Sequence, residues 1–294
     1  MVERFGGLLP EHPLRRELNA TILANDVVNS QGVTFVTRLM TETGAQAADV
    51  VRAFRIARDV TGAVARWADV ESLDGLIDPV VQNELMTGVD WLVETTSRWW
   101  LVQEAGARIG ATVEDASGAF AELTAVIDRV GSDSWREEHE QHVRRLMEEG
   151  VPQAIARRHA FQSELVHGPD IISVARESGR PVEEVARIFF LLGERLDIDW
   201  LEFRLEEMQV ATKWQRWAVQ SMEDDVFLVR RQLAERLIDE AAGLPVEEAV
   251  EAFLERRAER VARLGRFMRT LKTESATDLA QLTVGLRQIR SLIG

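Results

Sequence analysis

Apolar positions recur at three- and four-residue intervals along most of this chain, and alternation is rare, so the sequence reads as helices rather than strands. From Pro13 to about Gln31, Leu14, Leu18, Ile22 and Val28 fall near one helix face, and Gly32 supplies a stop. Val33 to Thr43 ends at Gly44, and the next helix runs from about Ala47 to Thr61. Asp78-Pro79 is a cap followed by a first-turn proline, opening a long helix through Leu85, Leu92, Trp99 and Val102 that fades near Gly106 and Gly110. Ser134 and Glu137 have capping-box spacing at the head of a charged helix that stops at Gly150. His167-Gly168-Pro169-Asp170 reads as a turn and a subdomain boundary. Helices are expected after it over 171–178, 182–196, 199–240, 245–271 and 276–292, the third broken around Asp197 to Asp199. The expected fold is all-α without a sheet. It is a multi-helix assembly of repeated helical hairpins, in an N-terminal subdomain (1–110), a charged middle segment (111–168) and a C-terminal subdomain (169–294).

The hairpin expectation rests on a recurring pattern. Gly44 leads to Asp49, Val50, Arg52 and Phe54, and Gly179 leads at identical spacing to Glu184, Val185, Arg187 and Phe189. Gly243, Val246, Glu247, Glu248 and Phe253 form a weaker third copy, with Glu251 where the arginine stood. Either an internal duplication or the ordinary grammar of a helix-turn-helix connection produces this pattern. In the second copy Val182, Val185, Phe189, Leu192 and Leu196 are spaced as a packing seam.

Composition narrows the function. The 294 residues include no cysteine, which excludes disulfides, thiolate metal sites and a cysteine nucleophile, and fits a reducing cytoplasm. The formal charge of -14 argues against nucleic acid and anionic membranes as partners. No run approaches the roughly 18 apolar residues of a membrane span, and no export signal is recognisable at Met1.

Candidate chemistry is sparse. His139-Glu140-Gln141-His142 approaches the zinc-protease signature but is one residue short, and its charged neighbours favour a solvated face over a metal site. His12, His159 and His167 are isolated. The two lysines, Lys213 and Lys272, stand beside no glycine-rich loop, and no phosphate-binding or nucleophile-elbow motif occurs. The eight tryptophans, densest at Trp99-Trp100 and at Trp214 and Trp217, read as core or interface rather than a ligand platform. One of Trp99 and Trp100 is expected to reach a second partner surface. Asn25, Asp26 and Asn29 are expected to bond Arg38 or Glu42 in the next helix. No catalytic, cofactor-binding or metal-ligating residue is assigned.

The block from His12 to Asn29, with Gly32 to Leu39 and Glu42 to Ala45, resembles the carboxy-terminal helical region of the large bacterial NAD-specific glutamate dehydrogenases. The likeness continues through 49–59, 167–172 and 178–200 and covers nearly the whole chain in order; 111–160 and the last fifty residues share only helical character. The resemblance implies a parent enzyme that oxidatively deaminates L-glutamate to 2-oxoglutarate and ammonium with NAD. It also implies that the catalytic lysines, aspartate and dinucleotide glycines lie in a central domain and map onto nothing here. The chain is therefore expected to be a non-catalytic piece of a longer homo-oligomeric polypeptide, without a cofactor of its own. Its expected role is scaffolding, oligomerisation or regulation, packed against the catalytic domain of the same chain. The alternative is a free-standing helical sensor or adaptor that binds a small molecule near Asn25, Asp26 and Arg38. A metal-dependent hydrolase built on His139 and His142 is a weaker third.

Overall fold

A computed structural model describes residues 13–102, 113–241, 243–274 and 277–294. Among them the chain is all-α, with no strand. It divides into two compact units, Met1–Ser117 with Glu149–Val166, and Gly118–Glu148 with His167–Gly294.

The first unit contains α1 (Arg15–Gln31), α2 (Phe35–Thr43), α3 (Ala47–Val60), α4 (Ala63–Glu71), α5 (Pro79–Val102), α8 (Gln153–His159) and α9 (Gln162–Leu165). Its core gathers Val27, Phe35, Leu39, Val50, Phe54, Ala57, Val89 and Val93, with the Phe35 and Phe54 rings edge to face at 5.9 Å. The start of α5 is as read: Asp78 Oδ1 accepts the Val80 N–H at 2.8 Å ahead of the proline turn. Gly106 and Gly110, where this helix was expected to fade, lie outside the described residues.

The polar pairing of α1 differs from expectation. Asp26 pairs with Arg58 of α3, while Arg38 and Glu42, one turn apart on α2, meet Glu94 and Arg98, one turn apart on α5. Matching i, i+4 pairs of opposite order lock α2 onto α5, and no polar side chain of α1 is needed for it. Asn25 and Asn29 are exposed. Burial raises the Glu42 carboxyl, opposed by the nearby Arg98 and Arg38 guanidiniums. Deeper in the unit, Arg66 donates to the carbonyls of Thr61 and Arg158 at 3.2 and 2.8 Å. Burial, with Arg66 and Arg158 close by, pushes His159 down to about 4.

The second unit takes most of α6 (Val113–Val126), then α7 (Asp133–Glu148), α10 (Gly168–Ser178), α11 (Val182–Arg195), α12 (Ile198–Glu206), α13 (Lys213–Glu240), α14 (Val246–Glu255), α15 (Ala258–Thr273) and α16 (Leu279–Arg290). Val182, Val185, Phe189, Leu192 and Leu196 are all buried, as the seam requires. Gly44, Gly179 and Gly243 each adopt a left-handed φ, between 68° and 81°. In each case a helix begins three residues later, and Phe54, Phe189 and Phe253 are fully buried. Glycine and turn chemistry account for this common junction without invoking duplication.

Four boundaries are corrected. The stretch 199–240 is two helices, because Thr212 and Gln215 form a reciprocal capping box that starts α13 afresh; α12 itself begins at the left-handed Asp197. The stretch 245–271 breaks at Arg256-Arg257, where both side chains turn onto Glu240 and Arg257 Nε also donates to the Leu292 carbonyl at 2.5 Å. His167 to Asp170 is not a turn but the cap and first turn of α10, since a proline there lacks only an N–H the helix does not use. Glycine is required at 168, where a Cβ would sit 2.5 Å from the Phe120 ring. Ser132, not Ser134, receives the Trp135 N–H at 3.2 Å; the Ser134 hydroxyl instead donates to Glu194.

Candidate docking face

Helix α1 carries two apolar sides. At about 100° per residue, Leu23 and Val27 lie roughly opposite the stripe Leu14, Leu18, Ile22 and Val28. Only one side can face the unit. Val27 is buried at 2% exposure, whereas Leu14, Leu18, Ile22 and Val28 are 57%, 38%, 54% and 42% exposed. The stripe is therefore the outward face, and its periodicity marks an exposed apolar surface rather than the core. On the Leu23 side of α1, Leu23 joins Ala48, Val51 and Ile56 in a groove of about 400 Å³, rimmed by Arg52, Arg55 and Asp59. An apolar stripe left in solvent on one helix is what a candidate contact surface looks like.

The other candidate residues do not assemble a reactive centre. His139 Nδ1 lies 2.8 Å from the Trp135 carbonyl, and its ring stacks on the Trp135 indole at 4.0 Å. Among the described residues, no three His, Asp or Glu side chains are grouped to hold a metal. Lys213 Nζ sits 4.4 Å above the Trp217 ring, and Lys272 Nζ pairs with Asp197 at 2.6 Å. Arg38 and Asp26 point to different helices, so the residues suggested for a small-molecule pocket do not converge. His12 lies outside the described residues. None of the eight tryptophans is fully buried, and Trp214, edge to face with Trp217 at 5.0 Å, is 73% exposed.

One cluster had no counterpart in the sequence reading. Arg230 of α13, 1% exposed, reaches Asp199 at 2.9 Å and Glu202 at 3.0 Å on α12. It also donates to the Phe189 carbonyl on α11 at 3.2 Å and contacts His167 Nε2, at the head of α10, at 3.2 Å. Burial alone would raise the Glu202 carboxyl; His167 and the Arg230 guanidinium outweigh it and hold that carboxyl below its usual range. Gly193 makes room, since a Cβ there would meet Arg230 Nη2 and Asp199 Oδ1 at 2.3 Å. The cluster joins four helices by paired charge, and its chemistry is positional. A buried arginine has no local sequence signature; the adjacent clue was Gly193 within an otherwise bulky apolar helix.

A family model described as the C-terminal region of glutamate dehydrogenase matches residues 1–291. The chain belongs to this glutamate dehydrogenase C-terminal family. NAD-specific glutamate dehydrogenases align with it from Halomonas elongata (35% identity, 80% of this chain, 14% of the relative) and Pseudomonas aeruginosa (30%, 99% and 18%). The enzyme of the same name from Mycobacterium tuberculosis aligns at 26%, over 99% of this chain and 18% of the relative. The chain thus spans less than a fifth of the length of these relatives.

The relatives' cofactor can be tested against the residues of this family member. Dinucleotides rest on a Gly-x-Gly-x-x-Gly turn after a parallel strand, with pyrophosphate at the following helix N-terminus. The described residues form no strand, and the helices that follow Gly44, Gly179 and Gly243 carry Asp49, Glu183 and Glu184, or Glu247 and Glu248 in their first turns. Those carboxylates occupy the positive helix ends and repel a pyrophosphate. Among the described residues no strand, glycine turn and helix come together as a seat that fits the dinucleotide. Among the described residues, no helix is long and apolar enough to cross a membrane.

Proposed function

We propose that this chain is the C-terminal helical domain of an NAD-specific glutamate dehydrogenase, and that it scaffolds the enzyme without taking part in the redox step. The parent reaction is the oxidative deamination of L-glutamate to 2-oxoglutarate and ammonium, with reduction of NAD. The observation that carries the scaffolding role is the outward stripe of α1. The occupant is the rest of the dehydrogenase polypeptide, from its own subunit or the next in a homo-oligomer, because the relatives have more than four-fifths of their length outside the matching region. Hydride transfer needs a held nicotinamide, and the groups that would hold it are not among these residues. The cysteine-free composition supports a cytoplasmic setting.

Leu18→Glu with Ile22→Glu tests the docking role. In the isolated chain both positions face solvent, so the unfolding free energy should shift by no more than about 0.5 kcal/mol. In a polypeptide that joins this domain to the dehydrogenase region, the same pair should disrupt assembly, turnover or the response to effectors. A joined polypeptide that keeps all three would contradict the proposal.

A further inference from the structure

A second surface feature lies in the other unit, where the end of α13, the α14–α15 junction and Gly294 enclose a cleft of about 850 Å³. Arg236, Arg256, Arg257 and Arg260 line it. The first three converge on one carboxylate: Glu240 receives Arg236 at 2.7 Å, Arg256 at 2.9 Å and Arg257 at 2.7 Å. Three guanidiniums around a single carboxylate leave a local positive surplus, in a chain whose total charge is -14. Arg257 also donates to the Leu292 and Phe253 carbonyls and, paired with Glu240, is only 10% exposed, so it is a structural post. Arg236 and Arg256 are different: their side chains remain 51% and 46% exposed. Arg260 is anchored on one side, donating to the Ser291 carbonyl at 2.7 Å, and is otherwise exposed.

We propose that this cleft binds a small multiply charged anion, a dicarboxylate or a phosphate, through Arg236, Arg256 and Arg260. Both ligand types present paired oxygens that match the guanidinium fork, and donors already anchored by Glu240 and Ser291 lose less freedom on binding. Glu255, Glu259 and the Gly294 carboxylate also line the cleft, so the positive surplus is confined to the guanidiniums around Glu240, which disfavours a long polyanion over a compact one. The Arg257 and Arg256 hydrogen bonds keep the Glu240 carboxyl down at about 2, so the arrangement holds its charge at neutral pH. The site stands independently of the docking role of α1.

Titration calorimetry on the purified chain tests this with inorganic phosphate and succinate as probes, at constant ionic strength set with chloride. Saturable heat with phosphate alone assigns a phosphate ligand, with succinate alone a dicarboxylate, and with both the shared oxygen-pair chemistry. In each case Arg236→Gln and Arg260→Gln should weaken binding roughly tenfold or more. Glu240 keeps two partners in the first variant, and the second lies on the surface, so each should retain the parental circular dichroism; if the first fails to fold, the second still decides. No saturable binding of either probe, or equal affinity in parent and folded variants, would overturn the proposal.

Discussion

Replacing Arg230 by methionine is expected to lower the unfolding free energy by about 3–5 kcal/mol, because it removes the buried cation that Glu202 and Asp199 share. Glu202 is the more severe case: its side chain is 15% exposed, and one of its oxygens, Oε1, has no hydrogen-bond partner even in the parent. Removing the guanidinium also leaves the Phe189 carbonyl without its side-chain donors. If the loss comes from uncompensated charge rather than from volume, adding Glu202→Gln to Arg230→Met should restore part of it, since the two positions share one network. Urea unfolding of the single and double variants measures both. A single variant within about 0.5 kcal/mol of the parent would show that the cluster does not organise the second unit.

Phe189→Ala is expected to cost about 3–5 kcal/mol by a different route, a cavity in the α11 seam. The Phe189 side chain is fully buried, flanked on the same face by Val185 and Leu192, both at 0% exposure. Its backbone carbonyl, which receives Arg230, is retained in the variant, so the charge cluster loses no acceptor and the effect reports packing. Trp214→Ala is the contrasting substitution: with its ring 73% exposed, it should change stability by no more than about 0.5 kcal/mol. A denaturant midpoint for Phe189→Ala that matches the parent would contradict the seam.

What was readable in the sequence follows from how local each feature is. The Asp78-Pro79 start, the left-handed glycines and the α11 seam depend on residues within a few turns of one another, and each was placed from spacing and turn chemistry. Thr212 and Gln215 also carry a local capping signature, so the α13 boundary was legible though not taken up. The break at Arg256-Arg257 has no glycine or proline to announce it; it forms where Glu240 and the Leu292 carbonyl draw two arginines out of line. The Arg230 cluster unites residues from 167 to 230, which only the packing of four helices brings together.

The α1 stripe teaches a different lesson. Period alone reports that a face is apolar, and it cannot say whether the partner is inside the same unit or beyond it. Leu14, Leu18 and Ile22 form the longer apolar run on α1, yet the side carrying Val27 is the one that packs inward.

The central claim is that these residues shape a dehydrogenase whose redox step takes place elsewhere in the polypeptide. Incubating the purified 294-residue chain with L-glutamate and NAD, and following NADH absorbance, tests it most directly. The expected result is a flat trace at any chain concentration. NADH formation that rises in proportion to the chain added would contradict it.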